Sequence, residues 1–151
     1  MYQRILVPID GSTTSGEGLD EAVKLARLTG AELRLVHVVD QLTFATGLDP
    51  YGAYAGELIT SMRETGEGIL AQARAKVEAH GIKVESKLFD NFAGRVSDMV
   101  VDEAKTWGAD LIVIGTHGRR GVTRWMLGSD AEQIVRLAPV PVLLIRASEK
   151  G

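Results

Sequence analysis

Runs of Val, Ile and Leu bounded by Gly, Asp or Pro alternate along this chain with longer segments whose apolar residues recur at helical spacing. The runs "RILVPI", "AELRLVHVV", "GIKVESKLF", "ADLIVIG" and "VPVLLIR" read as five strands, because β-branched side chains suit a pleated, packed surface. Between them lie three apolar stripes: Leu19, Ala22, Val23 and Ala26; then Leu58, Met62, Ile69, Leu70, Ala73 and Val77; then Phe92, Val96, Met99, Val100 and Ala104. A last helix is predicted to start at the Ser-x-x-Glu of Ser129 and Glu132. Strand–helix alternation requires parallel strands, since neighbours running the same way need a crossover, so helices should cover both faces. The pattern predicts an α/β, doubly wound parallel sheet. Gly30, Gly81 and Gly108 each fall between a helix pattern and the next strand, where a left-handed stop is needed.

The same pattern ranks the strands. "LIVI" and "ILVPI" are apolar on both faces and should be central, whereas "IKVESKL" puts Lys83, Glu85 and Lys87 on one side and Ile82, Val84, Ser86 and Leu88 on the other, as a half-exposed edge does. "VPVLLIR" is nearly all apolar, yet Pro139 and Pro141 bias it to the other edge, because proline donates nothing to a ladder. Asp40 to Gly56 has no clear period and mixes Gly, Pro and aromatics; it reads equally as a lid or as a connection without function.

Composition narrows the picture without changing it. A chain of 151 residues, 45% hydrophobic and 25% charged, suits a single domain over 1–151 with one core. A net charge of −3 without a run of like charges gives no footing for bulk nucleic acid or an anionic membrane. With no cysteine, disulfides, thiolate metal sites and cysteine nucleophiles are excluded. "MYQRILVPID" is unlike a signal peptide, and no apolar run approaches the roughly 18 residues of a spanning helix, so a cytoplasmic protein is expected.

Ligands of open parallel sheets sit beyond the carboxyl ends of the strands. "VPIDGS" ends the first strand, and Gly115-x2-Gly118-x9-Gly128-Ser129 follows the fourth and opens the last helix. Glycines let a backbone approach an anion, and a helix start offers unpaired amides with a partial positive charge, a pairing that suits phosphate. The loop is neither a Walker A motif nor Gly-x-Gly-x-x-Gly. Ser129 has two readings, a phosphate ligand or the N-cap of a capping box with Glu132. Asp10 likewise reads as a Mg²⁺ ligand acting through bound phosphate or as a cap of the helix after Ser12. Arg119, Arg120 and Arg124 suit phosphate and equally suit solvent. Asp130 and Glu132 would oppose an anion at the helix start. No catalytic residue is assigned: His117 has no evident relay partner, His37 reads as a satisfied histidine within a strand, and His80 ends a helix. Trp125, Met126 and Leu127 read as anchors of the loop.

The glycine spacing, together with "ILVPIDGS", "LVHVV", "ADLIVIGTHGRRG" and "APVPVLLIR" in that order, resembles the ATP-binding type of the universal stress protein family over the whole chain. The resemblance implies an adenine nucleotide alpha hydrolase-like fold with strand order 3-2-1-4-5, ATP or AMP as ligand, and a homodimer. It places Pro8 and Asp10 beside the adenosine, with Asp10 near the ribose. It gives Val38 backbone bonds to adenine, continues the pocket through Ile114 and Gly115, and sets Gly118, Gly128 and Ser129 on the phosphates; Arg119, by its charge, is counted with them as a candidate contact. Asp130 departs from the small apolar residue common at this place in ATP-binding members. The dimer would form through strand 140–146, with Val140 and Val142 on one face, since an apolar edge needs cover. The implied role is a regulatory nucleotide sensor in the stress response, working through a downstream protein partner that the sequence does not name. Two rival readings remain: a slow ATPase or nucleotidyl-transferring enzyme, of whose pyrophosphate loop "DGSTTSG" is a faint echo, and a structural member that binds no nucleotide.

Overall fold

The computed structural model describes residues 2–40, 55–91, 95–116 and 127–146, the side chains of 40, 55–58 and 91 excepted. In chain order the elements are β1 (Arg4–Pro8), α1 (Thr13–Thr29), β2 (Glu32–Asp40), α2 (Ala55–Glu78), β3 (Val84–Asn91), α3 (Val96–Trp107), β4 (Leu111–Gly115), α4 (Ser129–Leu137) and β5 (Val142–Ile145). All pairings are parallel, and the sheet order is β3-β2-β1-β4-β5. The strands read as central, β1 and β4, are central, and those read as edges, β3 and β5, are edges.

Each face of the sheet has its own core. Ile5, Val7, Leu33, Leu35, Leu111 and Val113 turn toward α1 and α2 and meet Leu19, Ala22, Val23, Leu70 and Val77. Leu6, Val36, Ile112 and Ile114 turn toward α3 and α4 and meet Val100, Ala104, Trp107 and Ile134. Period-2 alternation in the strands and one stripe per helix are enough to produce these two layers. Gly30, Gly81 and Gly108 adopt φ of 77°, 70° and 76°, the left-handed stops their positions called for.

Two expectations need correction. The last strand covers Val142–Ile145 rather than 140–146, because Pro139 and Pro141 have no N–H to carry the ladder back, although the Pro141 carbonyl accepts from the Ile112 amide at 3.0 Å; Val140 still packs on the same core as Val142. The capping box at Ser129 is not formed. Gly128 is the N-cap of α4, no side chain among the described residues caps it, and the Glu132 carboxylate pairs instead with Arg136 at 3.1 Å, one turn on.

Candidate functional site

The crevice begins where β1 loses both neighbours. Odd residues of β1 turn their backbone groups to β2, as the Ile9 amide does in donating to the Val36 carbonyl at 2.8 Å. Even residues turn to β4, so the rung after Leu6 falls to Pro8, which has no N–H. The β1–β4 register accordingly ends at Leu6↔Ile112 and the strands part beyond it. The β1–β2 register ends at Pro8↔Val36, although β2 itself runs on beside β3 to Asp40↔Asn91. The last backbone of β2 on its β1 side therefore borders the crevice.

The turn after β1 is fixed by its own side chains. Asp10 Oδ1 accepts from the Ser12 amide at 2.8 Å, and Gly11 takes φ 84°, a left-handed position that favours glycine. Ser12 Oγ accepts from the Ser15 amide at 3.1 Å as N-cap of α1, so the cap is Ser12, with Asp10 bracing it. The first turn of α1 carries no acidic side chain. The carboxylate nearest the positive end of its dipole is therefore that of Asp10, ahead of the cap.

On the β4 side the chain passes very close to α1. A Cβ on Gly115 would stand 2.6 Å from Thr14 Cγ2 and 2.9 Å from the Thr14 carbonyl oxygen, and Gly18 faces the Gly115 amide. Gly115 is thus required by packing, whatever it does for a ligand. Thr116 donates its amide to the Ile145 carbonyl at 2.9 Å, and its own carbonyl accepts from the Gly128 amide at 2.7 Å. That second bond draws the start of α4 onto the end of β4. Thr116 is 8% exposed, and its Oγ1 has no hydrogen-bond partner among the described residues. A buried unpaired hydroxyl costs about 1–3 kcal/mol unless something supplies a partner. Ser129 and Asp130, just beyond, are exposed.

The floor of the crevice is apolar. Pro8, Val38 and Ile114 share the α3/α4 face of neighbouring strands; Pro8 and Val38 are half-buried, and Ile114 is buried. Phe89, paired with Val38, and Leu127, just before Gly128, pack on the same cluster. Lys87 lies against the Phe89 ring at 5.0 Å and is tied to Glu103 at 3.2 Å.

The fold therefore gathers Pro8, Asp10, Val38, Ile114, Gly115, Gly128, Ser129 and Asp130 at the carboxyl ends of β1, β2 and β4. Gly118 and Arg119 lie outside the described residues, as do His117, Arg120, Arg124, Trp125, Met126 and most of the Asp40–Gly56 segment. Thr116, Phe89 and the ladder-ending role of Pro8 escaped the sequence reading. Phe89 did leave a trace, as the apolar residue continuing the row of Lys83, Glu85 and Lys87. No cluster of three or more His, Cys, Asp or Glu that could hold a metal occurs among the described residues, so an ion at Asp10 would need its other ligands from elsewhere. An open groove of about 890 Å³ lies at the amino ends of the strands, lined by Gln3, Arg27, Glu32, His80 and Lys83 among others. It is far from the crevice, and Glu32 there is already paired with Arg4 and Lys83 at 3.2 Å each.

The profile of the Universal stress protein family matches residues 1–146. Universal stress protein MJ0531 of Methanocaldococcus jannaschii is 34% identical over 151 residues, covering 99% of this chain and 85% of that protein. A universal stress protein family structure from Burkholderia pseudomallei superposes with a TM-score of 0.79 at 34% identity, covering 97% of each chain. Another universal stress protein, solved in complex with cAMP, superposes at 0.67 with 25% identity over 97% of this chain and 98% of its own. With its sheet order, its crevice and its whole-length similarity in agreement, the chain belongs to the universal stress protein family.

Proposed function

We propose that the chain binds an adenine nucleotide, ATP or AMP, as a regulatory ligand at the carboxyl-end crevice, and that it acts as a homodimer in the cytoplasmic stress response. One observation carries the reading. Among the described residues, the start of α4 has no side-chain cap, is drawn onto β4 by the Gly128–Thr116 bond, and stands beside a buried Thr116 hydroxyl without a partner. Uncapped amides, an exposed Ser129 and an orphaned hydroxyl suit the oxygens of phosphate. Pro8, Val38, Phe89 and Leu127 offer an apolar bed that suits a base. The relative bound to cAMP supports an adenine nucleotide as the class of ligand.

Asp10 would lie near the ribose, and with one carboxylate oxygen engaged by the Ser12 amide it supplies at most one ligand to Mg²⁺, the rest coming from phosphate oxygens and water. Asp130 and Glu132 in the first turn of α4 oppose a triphosphate more than a monophosphate. ATP should therefore depend on a divalent cation more than AMP does, and Asp130→Val should tighten ATP selectively.

Native mass spectrometry of the freshly purified protein tests the whole reading, since it weighs bound nucleotide and oligomer together. Titration calorimetry with ATP and AMP, with and without EDTA, tests the charge argument. A protein that neither retains nor binds either nucleotide would overturn the proposal, and ATP affinity indifferent to EDTA would overturn the role of Asp130 and Glu132. Gly118→Val should abolish binding in a folded protein, because a branched side chain would fill the approach to the phosphates.

A further inference from the structure

The β1–β2 ladder ends without a proline on that side. The Ile9 carbonyl is instead engaged by the His37 ring, whose Nδ1 lies 2.7 Å from it. A carbonyl oxygen only accepts, so Nδ1 carries the proton and donates. His37 is 8% exposed, and α2 crosses directly over it at Gly66, where a Cβ would stand 2.7 Å from His37 Cδ2 and 3.1 Å from Nε2. Glycine inside a helix is unfavourable relative to alanine, and here the close crossing over the imidazole is its reason.

Backbone groups of residues i and i+2 in a strand point the same way. Val36 accepts the Ile9 amide on the β1 side, so Val38 turns its N–H and C=O to that side one step further out. The rung that would follow, from the Val38 amide to the Ile9 carbonyl, is not made: β1 stops at Pro8 and the register stops at Pro8↔Val36. One residue offering N–H and C=O side by side complements a base edge in which a ring nitrogen accepts and an exocyclic amine donates, as in adenine.

We propose that His37 is a positioning residue for the base: by taking the Ile9 carbonyl it keeps the Val38 backbone out of the sheet and available to the ligand. This rests on the adenine-nucleotide reading above. Without a donor at position 37 the ladder gains its missing rung, and the Val38 amide is consumed by β1.

The test uses the full chain with His37→Leu, which removes the donor and keeps bulk, and His37→Asn, which returns an amide nitrogen near the place of Nδ1. Hydrogen exchange at the Val38 amide is followed by NMR, and AMP and IMP are titrated; IMP presents a ring N–H and a carbonyl in place of adenine's acceptor and amine. In nucleotide-free wild type and His37→Asn the Val38 amide should exchange quickly, and in His37→Leu at least about ten-fold more slowly. AMP should bind His37→Leu roughly ten-fold more weakly, the loss of about one net hydrogen bond, with its preference over IMP narrowed, and His37→Asn should recover most of both. Should His37→Leu fail to fold, the wild-type amide alone decides: fast exchange that slows on saturation with AMP is expected, and an amide slow in both states overturns the proposal. AMP binding in wild type with affinity and preference unmoved in His37→Leu overturns the role of His37 alone. A wild type that binds no AMP overturns the nucleotide reading and with it the ligand assigned to Val38.

Discussion

Two serines stand at helix starts in this chain, and their surroundings give them opposite work. Ser12 accepts a hydrogen bond from the Ser15 amide, whereas Ser129 is the first residue of α4, exposed, behind a Gly128 cap with no side-chain bond. Ser12→Ala should lower unfolding free energy by about 1 kcal/mol. Ser129→Ala should stay within about 0.5 kcal/mol of the parent while weakening nucleotide binding. Urea denaturation beside calorimetry checks both; a destabilised Ser129→Ala with unchanged affinity would restore the capping reading. Sequence placed both serines at helix starts correctly, since apolar periodicity begins after each. It did not say which was capped, because Ser-x-x-Glu states only that a box is possible, and Glu132 had a competing partner in Arg136 one turn ahead. Gly115 was legible as a special position, but its cause was not. The neighbour that forbids a side chain there is Thr14, about a hundred residues away.

Among elements, α3 is joined to the β2–β3 end of the sheet by charge as well as by packing. Glu103, 4% exposed, meets Arg34 at 2.5 Å and Lys87 at 3.2 Å, and Arg34 reaches Glu85 at 2.6 Å while its guanidinium lies 4.8 Å from the centre of the Trp107 ring. Burial alone would weaken the Arg34 charge, but hydrogen bonds to Glu103 and Glu85 prevail and hold it more firmly protonated than usual. The arrangement explains why a charged row on β3 tolerates a covering helix. Glu103→Ala leaves Arg34 and Lys87 without their shared partner and should cost about 3 kcal/mol, read as a lower urea midpoint with an unchanged slope. A loss under about 1 kcal/mol would mean that water replaces the carboxylate easily. The alternation of Lys83, Glu85 and Lys87 had marked β3 as an edge. The identity of their partner was hidden, since Glu103 looks like any helical glutamate until the helix is docked.

For the whole molecule, the open question of surface is β5. Val142, Leu143, Leu144 and Ile145 are all only half-buried, on both faces of the last strand, which among the described residues has no further strand on its outer side. An apolar edge of this kind invites pairing. A two-fold arrangement of β5 against β5 covers it with nothing but a second copy. Val142→Asp would bring two carboxylates toward the dyad and forfeit roughly 1.5–3 kcal/mol of valine burial per chain, so light scattering behind size exclusion should show a dimer turned to monomer. A wild type already monomeric at micromolar concentration, or a mutant as tightly dimeric as its parent, would mean that the edge is protected otherwise.

What the sequence determined by itself was everything that depends on local period and punctuation. The five strands, their helices, the central and edge ranking, the left-handed glycines and the address of the crevice all follow from which residues repeat at two or at three to four positions and where Gly and Pro interrupt them. What only tertiary structure decided was how each backbone group and charge is satisfied. Pro8 could be seen in the sequence, but that it ends the β4 ladder depends on which side of β1 its missing N–H would face. His37 could be judged a satisfied histidine, but not that its ring engages the carbonyl of Ile9, just past the end of β1. Thr116 gave no sign of being a buried hydroxyl without a partner among the described residues. Periodicity is a property of neighbours along the chain, whereas hydrogen-bond competition arises between segments far apart in sequence, and it takes effect only once the sheet has brought them to within 3 Å or so of each other.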